Sequence, residues 1–223
     1  TGNDDLRGGS DDDVVFGEDG ADILRGDTGD DTLSGGDGDD SLYGGDGSDE
    51  LSGDVGNDLL RGNEGDDTLL GGDGDDSVFG GAGADSMDGG TGTDWLGYND
   101  DTLGVAVDLS TGAASGGDAQ GDTIAGFENL SGGTGSDTLT GDAGANTIQG
   151  NAGNDLMDGG DGDDLLGGGA GDDTVYAGAG DDTLNGSDGD DIIYGDAGHD
   201  LADGSTGADQ LFGGAGDDSL QGG

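Results

Sequence analysis

Aspartate recurs every nine residues in this chain. It stands at Asp4, Asp13, Asp22, Asp31, Asp40, Asp49, Asp58, Asp67, Asp76, Asp85 and Asp94. After a break it resumes at Asp137, Asp155, Asp164, Asp173, Asp182, Asp191, Asp200, Asp209 and Asp218, with Asn146 where one further Asp is due. The whole chain has 223 residues, 54 acids, 3 Lys+Arg and a net charge of −51. Carboxylates a few ångströms apart repel one another, and so much charge of one sign opposes compaction. Such an array either keeps the chain open or holds cations. Acid–base catalysis is not indicated, because paired acids carry no information where carboxylates are everywhere. His199 is the only histidine. No Ser-His-Asp order, zincin motif or phosphate loop is present, and the GxG strings lack a strand-to-helix setting. The expectation is a protein that is not an enzyme.

The elements that must position these acids follow from the period. Gly8 to Gly97 divides into ten nonapeptides without a gap, and Gly132 to Gln221 into ten more. The consensus is G-G/D-x-G-x-D-x-L-x, with Asp11 the exception to Gly at position four and an apolar residue throughout at position eight. Hydrophobic residues are 28% and Gly numbers 60, which alone would indicate disorder. A fixed period instead means stacked supersecondary units. Positions one to six carry Gly where the backbone needs positive φ or close approach. Positions seven to nine, such as SLY, TVY and IIY, are β-formers that point position eight inward. Three-residue strands and six-residue turns are therefore expected, with two nonapeptides per coil and parallel strands stacked about 4.8 Å apart. Residues 1–97 form a first block, 98–131 a junction or insert, and 132–223 a second block.

The nonapeptide resembles GGxGxDxUx, the calcium-binding repeat of RTX (repeats-in-toxin) proteins of the hemolysin type. The resemblance covers both blocks. It implies an all-β fold, a right-handed parallel β-roll (β-solenoid), with calcium ions between successive turns. It also implies that position six gives its carboxylate and the Gly-rich turn its carbonyls, so the metal residues are the 21 named above. Asn146 would then coordinate through its amide oxygen, more weakly.

Energetics point the same way. One inward side chain per repeat buries too little apolar surface to offset the ordering of a Gly-rich backbone. Calcium suits the need, since it accepts six to eight hard oxygens in tolerant geometry, whereas magnesium demands a strict octahedron. Zinc would want Cys or His, and the chain has no Cys. The family geometry implies about 17 Ca2+ ions, leaving a net charge of roughly −17. Binding is then folding. Weak sites would leave the chain unfolded in the cytosol and fold it in millimolar calcium outside. The family leaves Gram-negative bacteria through type I secretion, which needs no N-terminal signal peptide, and none is seen at the start. The family's C-terminal secretion segment is not seen either, so a piece of a longer protein is expected. The resemblance implies a secreted, extracellular location, free or at the cell surface.

Within 98–131, GVAVDLS reads as a strand and STGAASGG as a turn. GDTIAGFENLSGG resembles a segment often found between RTX blocks, and Asp122 and Glu128 read as extra calcium ligands. Residues 18 apart share a face. Position nine therefore builds a column of Arg7, Arg25, Tyr43, Arg61 and Phe79, and a second of Tyr176, Tyr194 and Phe212. These columns either stiffen the sheet or meet a protein partner or another copy. Nucleic acid is not expected as a partner, since no basic surface exists to meet phosphates. No membrane span is expected, since no apolar run is long enough. Two roles stay open: a calcium-binding structural module of an adhesin, surface-layer or filament protein, or the C-terminal RTX module of a secreted protease, lipase or polysaccharide-modifying enzyme.

Overall fold

The computed structural model describes residues 2–223; Thr1, the first residue of the expected first block, lies outside them. The chain forms two compact units. The first holds residues up to Tyr98 together with Asp118–Phe127, and the second holds Asn99–Gly117 and Glu128–Gly223. The segment 98–131 is thus divided between them.

In the first unit, strands Asp5–Ser10, Ile23–Thr28, Ser41–Asp46, Leu59–Glu64, Ser77–Ala82 and Trp95–Gly97 pair in parallel, each 18 residues from the next. The facing sheet runs Val14–Asp19, Thr32–Asp37, Glu50–Val55, Thr68–Asp73, Ser86–Thr91 and Thr123–Ala125. The second unit repeats the scheme. Asn129–Ser131, Thr147–Ala152, Leu165–Ala170, Thr183–Asp188, Leu201–Asp203 and Ser219–Gln221 form one parallel sheet. Ala106–Asp108, Thr138–Thr140, Leu156–Asp161, Thr174–Ala179, Ile192–Tyr194 and Gln210–Phe212 form the other. Each unit is an all-β parallel β-solenoid with two nonapeptides per coil.

Two local expectations are corrected. Most strands are six residues long, not three, because positions two and three rejoin the ladder: Tyr43 pairs with Arg61, then Gly45 with Asn63 and Asp46 with Glu64. The unpaired residue is position one. A left-handed residue at position two, Asn63 at φ 80° or Gly45 at φ 128°, re-aims the chain there so that its amides return to the sheet. The run STGAASGG is not simply a turn either. Its Ala113–Ser115 pairs antiparallel with Ala106–Asp108, closing a hairpin.

Position eight makes the core in single file. Leu24, Leu42, Leu60, Val78 and Leu96 from one sheet of the first unit are all 0% exposed. Leu139, Ile148, Met157, Leu166 and Val175 do the same in the second unit. Because the strands stack without offset, each outward column is also a ladder of like positions. Tyr176 and Tyr194 stack at 4.8 Å between ring centroids, and Tyr194 and Phe212 at 4.9 Å. In the first unit the arginines are used within the column. Arg7 pairs with Asp27 and Arg25 with Asp5, while Arg25 lies over Tyr43 at 5.5 Å and Arg61 over Phe79 at 4.3 Å. These contacts stiffen the sheet. Tyr194→Ala, which removes the middle ring, is expected to cost about 1–2 kcal/mol. Thermal melting in saturating calcium should show a drop of about 2–4 °C.

Candidate metal centre

Every position-six acid sits at the end of a tight turn, just before its strand. The strand ladder places that turn directly beside its copy 18 residues away. The backbone N–H of such a residue, from Asp4 to Asp85 and from Asp137 to Asp200, then donates to Oδ1 of the acid one lap on. Asp22 donates to Asp40 at 2.7 Å, Asp40 to Asp58 at 2.7 Å and Asp155 to Asp173 at 2.8 Å. One oxygen of each accepting carboxylate, from Asp22 onward, is thereby pinned.

The other oxygen has no donor. Oδ2 of Asp13, Asp22, Asp31, Asp40, Asp49, Asp58, Asp67, Asp76 and Asp85 is buried without a hydrogen-bond partner, as is that of Asp155, Asp164, Asp173, Asp182, Asp191, Asp200 and Asp209. A buried carboxylate oxygen left so is costly. Its surroundings recur at many laps. A Cβ built on the position-one glycine Gly17 would lie 2.5 Å from Asp22 Oδ2 and 2.5 Å from the Gly35 carbonyl oxygen of the next lap. Gly195 in the second unit has the same neighbours, Asp200 Oδ2 and the Gly213 carbonyl, each at 2.5 Å. The position-one glycine, having no side chain, thus lets a carboxylate oxygen and a carbonyl oxygen of the next lap crowd against its backbone. Carboxylate and carbonyl oxygens are both ordinary calcium ligands. Among the described residues no three His, Cys, Asp or Glu side chains converge.

Electrostatics mark the same atoms. Burial away from water pushes the Asp58, Asp67 and Asp173 carboxyls up to about 7, and those of Asp85, Asp155 and Asp164 up to about 6. Neighbouring aspartates of adjacent laps push in the same direction. A cation at the orphaned oxygen would reverse both effects.

The structure places the 21 named residues unequally. Asp22 to Asp94, and Asp137 to Asp200 with Asn146, are buried. Asp13, Asp209 and Asp218 are half-buried, and Asp4 is exposed. Two buried members have their second atom satisfied. Asp137 Oδ2 accepts from the Gly133 N–H at 2.8 Å. Asn146 Oδ1 accepts from the Asp142 N–H at 2.8 Å, and its Nδ2 donates to the Glu128 carbonyl at 2.7 Å. Asp122, which falls outside the unbroken nonapeptide blocks, takes a place in the first unit's column: its Oδ1 accepts from the Asp85 N–H at 2.9 Å. The insert hides this from a fixed period, although the string GDTI is a remnant of the repeat.

Position five supplies a second ladder that the repeat alone did not disclose. There the side chain accepts the N–H of position five one lap later, as from Asp30 to Asp12 at 3.0 Å and from Ser48 to Asp30 at 2.9 Å. His199 keeps this pattern, its Nδ1 accepting the Asp217 N–H at 3.0 Å. The polar residues common at position five thus tie the loops of successive laps together.

A parallel β-solenoid whose stacked loops bury a carboxylate beside a glycine lap after lap is a β-roll. The RTX calcium-binding nonapeptide repeat (4 copies) matches residues 1–33, 25–60, 61–96, 131–166, 167–202 and 203–223. The chain belongs to this family of RTX calcium-binding repeats. No curated protein matches it. Repeats of this family bind calcium and typify secreted bacterial proteins. Among the described residues no helix is long and apolar enough to cross a membrane.

Proposed function

We propose that this chain is the calcium-folded structural module of a type I-secreted protein, an adhesin, surface-layer or filament component at or beyond the cell surface. In this reading it is not an enzyme. The position-six aspartates, from Asp4 to Asp218, are its calcium ligands, and about 17 ions load between successive loops. The observation that carries the reading is the buried, donorless Oδ2 that recurs lap after lap beside a glycine, with the next lap's carbonyl near it at glycines such as Gly17 and Gly195. No hydrogen bond within the fold compensates these oxygens, so ion binding and folding are one event. The stacked Tyr176, Tyr194 and Phe212, with Phe212 47% exposed, are the surface we assign to a protein partner or a second copy.

The test is a calcium titration from EDTA at pH 7.5, followed by far-UV circular dichroism, with magnesium as control. A cooperative coil-to-β transition with calcium alone is expected. A β spectrum already present in EDTA at that pH overturns the reading. Asp40→Ala and Asp182→Ala should each raise the calcium midpoint and lower cooperativity, whereas exposed Asp88→Ala should leave both unchanged. Equal effects at all three positions would remove position six from the ligand set.

A further inference from the structure

Asp122 stands where the first unit's column of acids passes the break in the period. Its strand, Thr123–Ala125, keeps register with Ser86–Thr91, pairing Ile124 with Met87 across 37 residues instead of 18. Its Oδ1 accepts the Asp85 N–H at 2.9 Å, as Asp85 Oδ1 accepts that of Asp67 at 2.9 Å. The difference lies in the second oxygen. In Asp85 it is orphaned, whereas in Asp122 it accepts the Tyr98 hydroxyl at 2.9 Å. The pair is enclosed: Tyr98 is 3% exposed, Asp122 6%, and Phe127 and Ala119 are buried as well.

We propose that Asp122 holds no calcium, because the Tyr98 hydroxyl fills the ion's place, and that the Tyr98–Asp122 pair is a metal-independent clasp on this lap. The proposal rests on the reading that the orphaned loops take calcium. A neutral O–H satisfies the oxygen that elsewhere waits for an ion, and the phenol ring occupies space that other ligands and water would need. The lap is also better supplied with apolar contacts than a standard repeat, since Tyr98 and Phe127 add buried aromatics to the single-file core. As calcium is withdrawn, the orphaned laps lose what compensates them and this one does not. Local opening is then graded along the first unit, easiest in the laps far from Asp122.

The experiment uses the full chain, with native mass spectrometry to count bound calcium at saturation and backbone hydrogen exchange to read opening at low calcium. Asp122→Asn should bind as many ions as the wild type, because no ligand is lost. Tyr98→Phe should bind one more, because the Asp122 Oδ2 is then orphaned. At low calcium, exchange at residues 84–88 and 122–126 of the wild type should be about ten-fold slower than at residues 22–58. Tyr98→Phe should erase that difference. An Asp122→Asn variant one ion short overturns the proposal, as does a Tyr98→Phe variant that keeps the wild-type exchange pattern. Should Tyr98→Phe fail to fold, the ion count of Asp122→Asn decides alone. A wild type that takes up no calcium defeats the functional reading instead, and the exchange comparison still decides whether the clasp exists.

Discussion

In EDTA the chain is expected to be unfolded at pH 7.5 and to regain its β spectrum as the pH falls toward 4. The buried carboxyls carry this result. Their ordinary value is 3.8, and in the folded, ion-free chain burial raises Asp58, Asp67 and Asp173 to about 7 and Asp85, Asp155 and Asp164 to about 6. A carboxyl whose folded value lies above its unfolded one binds its proton more tightly when folded. Its contribution to stability is complete below about 4 and is lost as the pH rises through 6 to 7. The net charge of −51 is discharged over the same acid range, since the sequence pI is about 4.1, and repulsion falls with it. Protons and calcium are then alternative occupants of the same oxygens. In calcium the sign reverses for binding: the midpoint concentration should rise as the pH drops below 7, because ligands must first lose protons. Circular dichroism from pH 7.5 to 4, at micromolar chain to avoid precipitation near the pI, checks both arms. Asp58→Asn, Asp67→Asn and Asp173→Asn combined should refold in EDTA at a higher pH than the wild type. A triple variant with an unshifted midpoint would show that net charge alone, not these buried carboxyls, sets the transition.

Gly17→Ala should disable a loop pair outright, whereas Gly167→Ala should do nothing of the kind. Both glycines lie in or beside strands, and neither has a positive φ. What differs is the space beside them. A methyl on Gly17 would stand 2.5 Å from the Gly35 carbonyl oxygen and from Asp22 Oδ2, an oxygen proposed to hold an ion. The carbonyl belongs to the backbone of a paired strand and cannot swing away. A methyl on Gly167, at an outward position nine, meets nothing within 4 Å. Gly17→Ala is expected to cost about 2–4 kcal/mol in calcium, from overpacking and a lost ion together. Gly167→Ala should stay within about 0.5 kcal/mol, or gain slightly from reduced chain entropy. Thermal melting and ion counting on both variants decide the matter. Equal losses would mean that the Gly17 cradle is not special.

The repeat by itself determined the architecture. A Gly-rich half and a β-forming half, recurring every nine residues, permit one inward side chain per repeat and a coil of 18. The ladders from Leu24 to Leu42 to Leu60, and from Tyr176 to Tyr194 to Phe212, fall where that period puts them. The spacing of the acids at position six was likewise legible, and the structure stacks most of them in buried columns. Strand length was not legible, since it depends on whether a left-handed residue at position two returns its amides to the sheet. Nor could the sequence divide the work of a carboxylate. Oδ1 is spent on a neighbour's N–H and Oδ2 is left bare only because parallel stacking without offset brings each loop against its copy. The same stacking gives position five its ladder and lets the neutral Nδ1 of His199 serve where a carboxylate usually does. Asp122 and Tyr98 meet across a stretch with no period at all. Local repetition encodes contacts at one fixed separation, and a contact at any other separation is decided by the fold that closes around it.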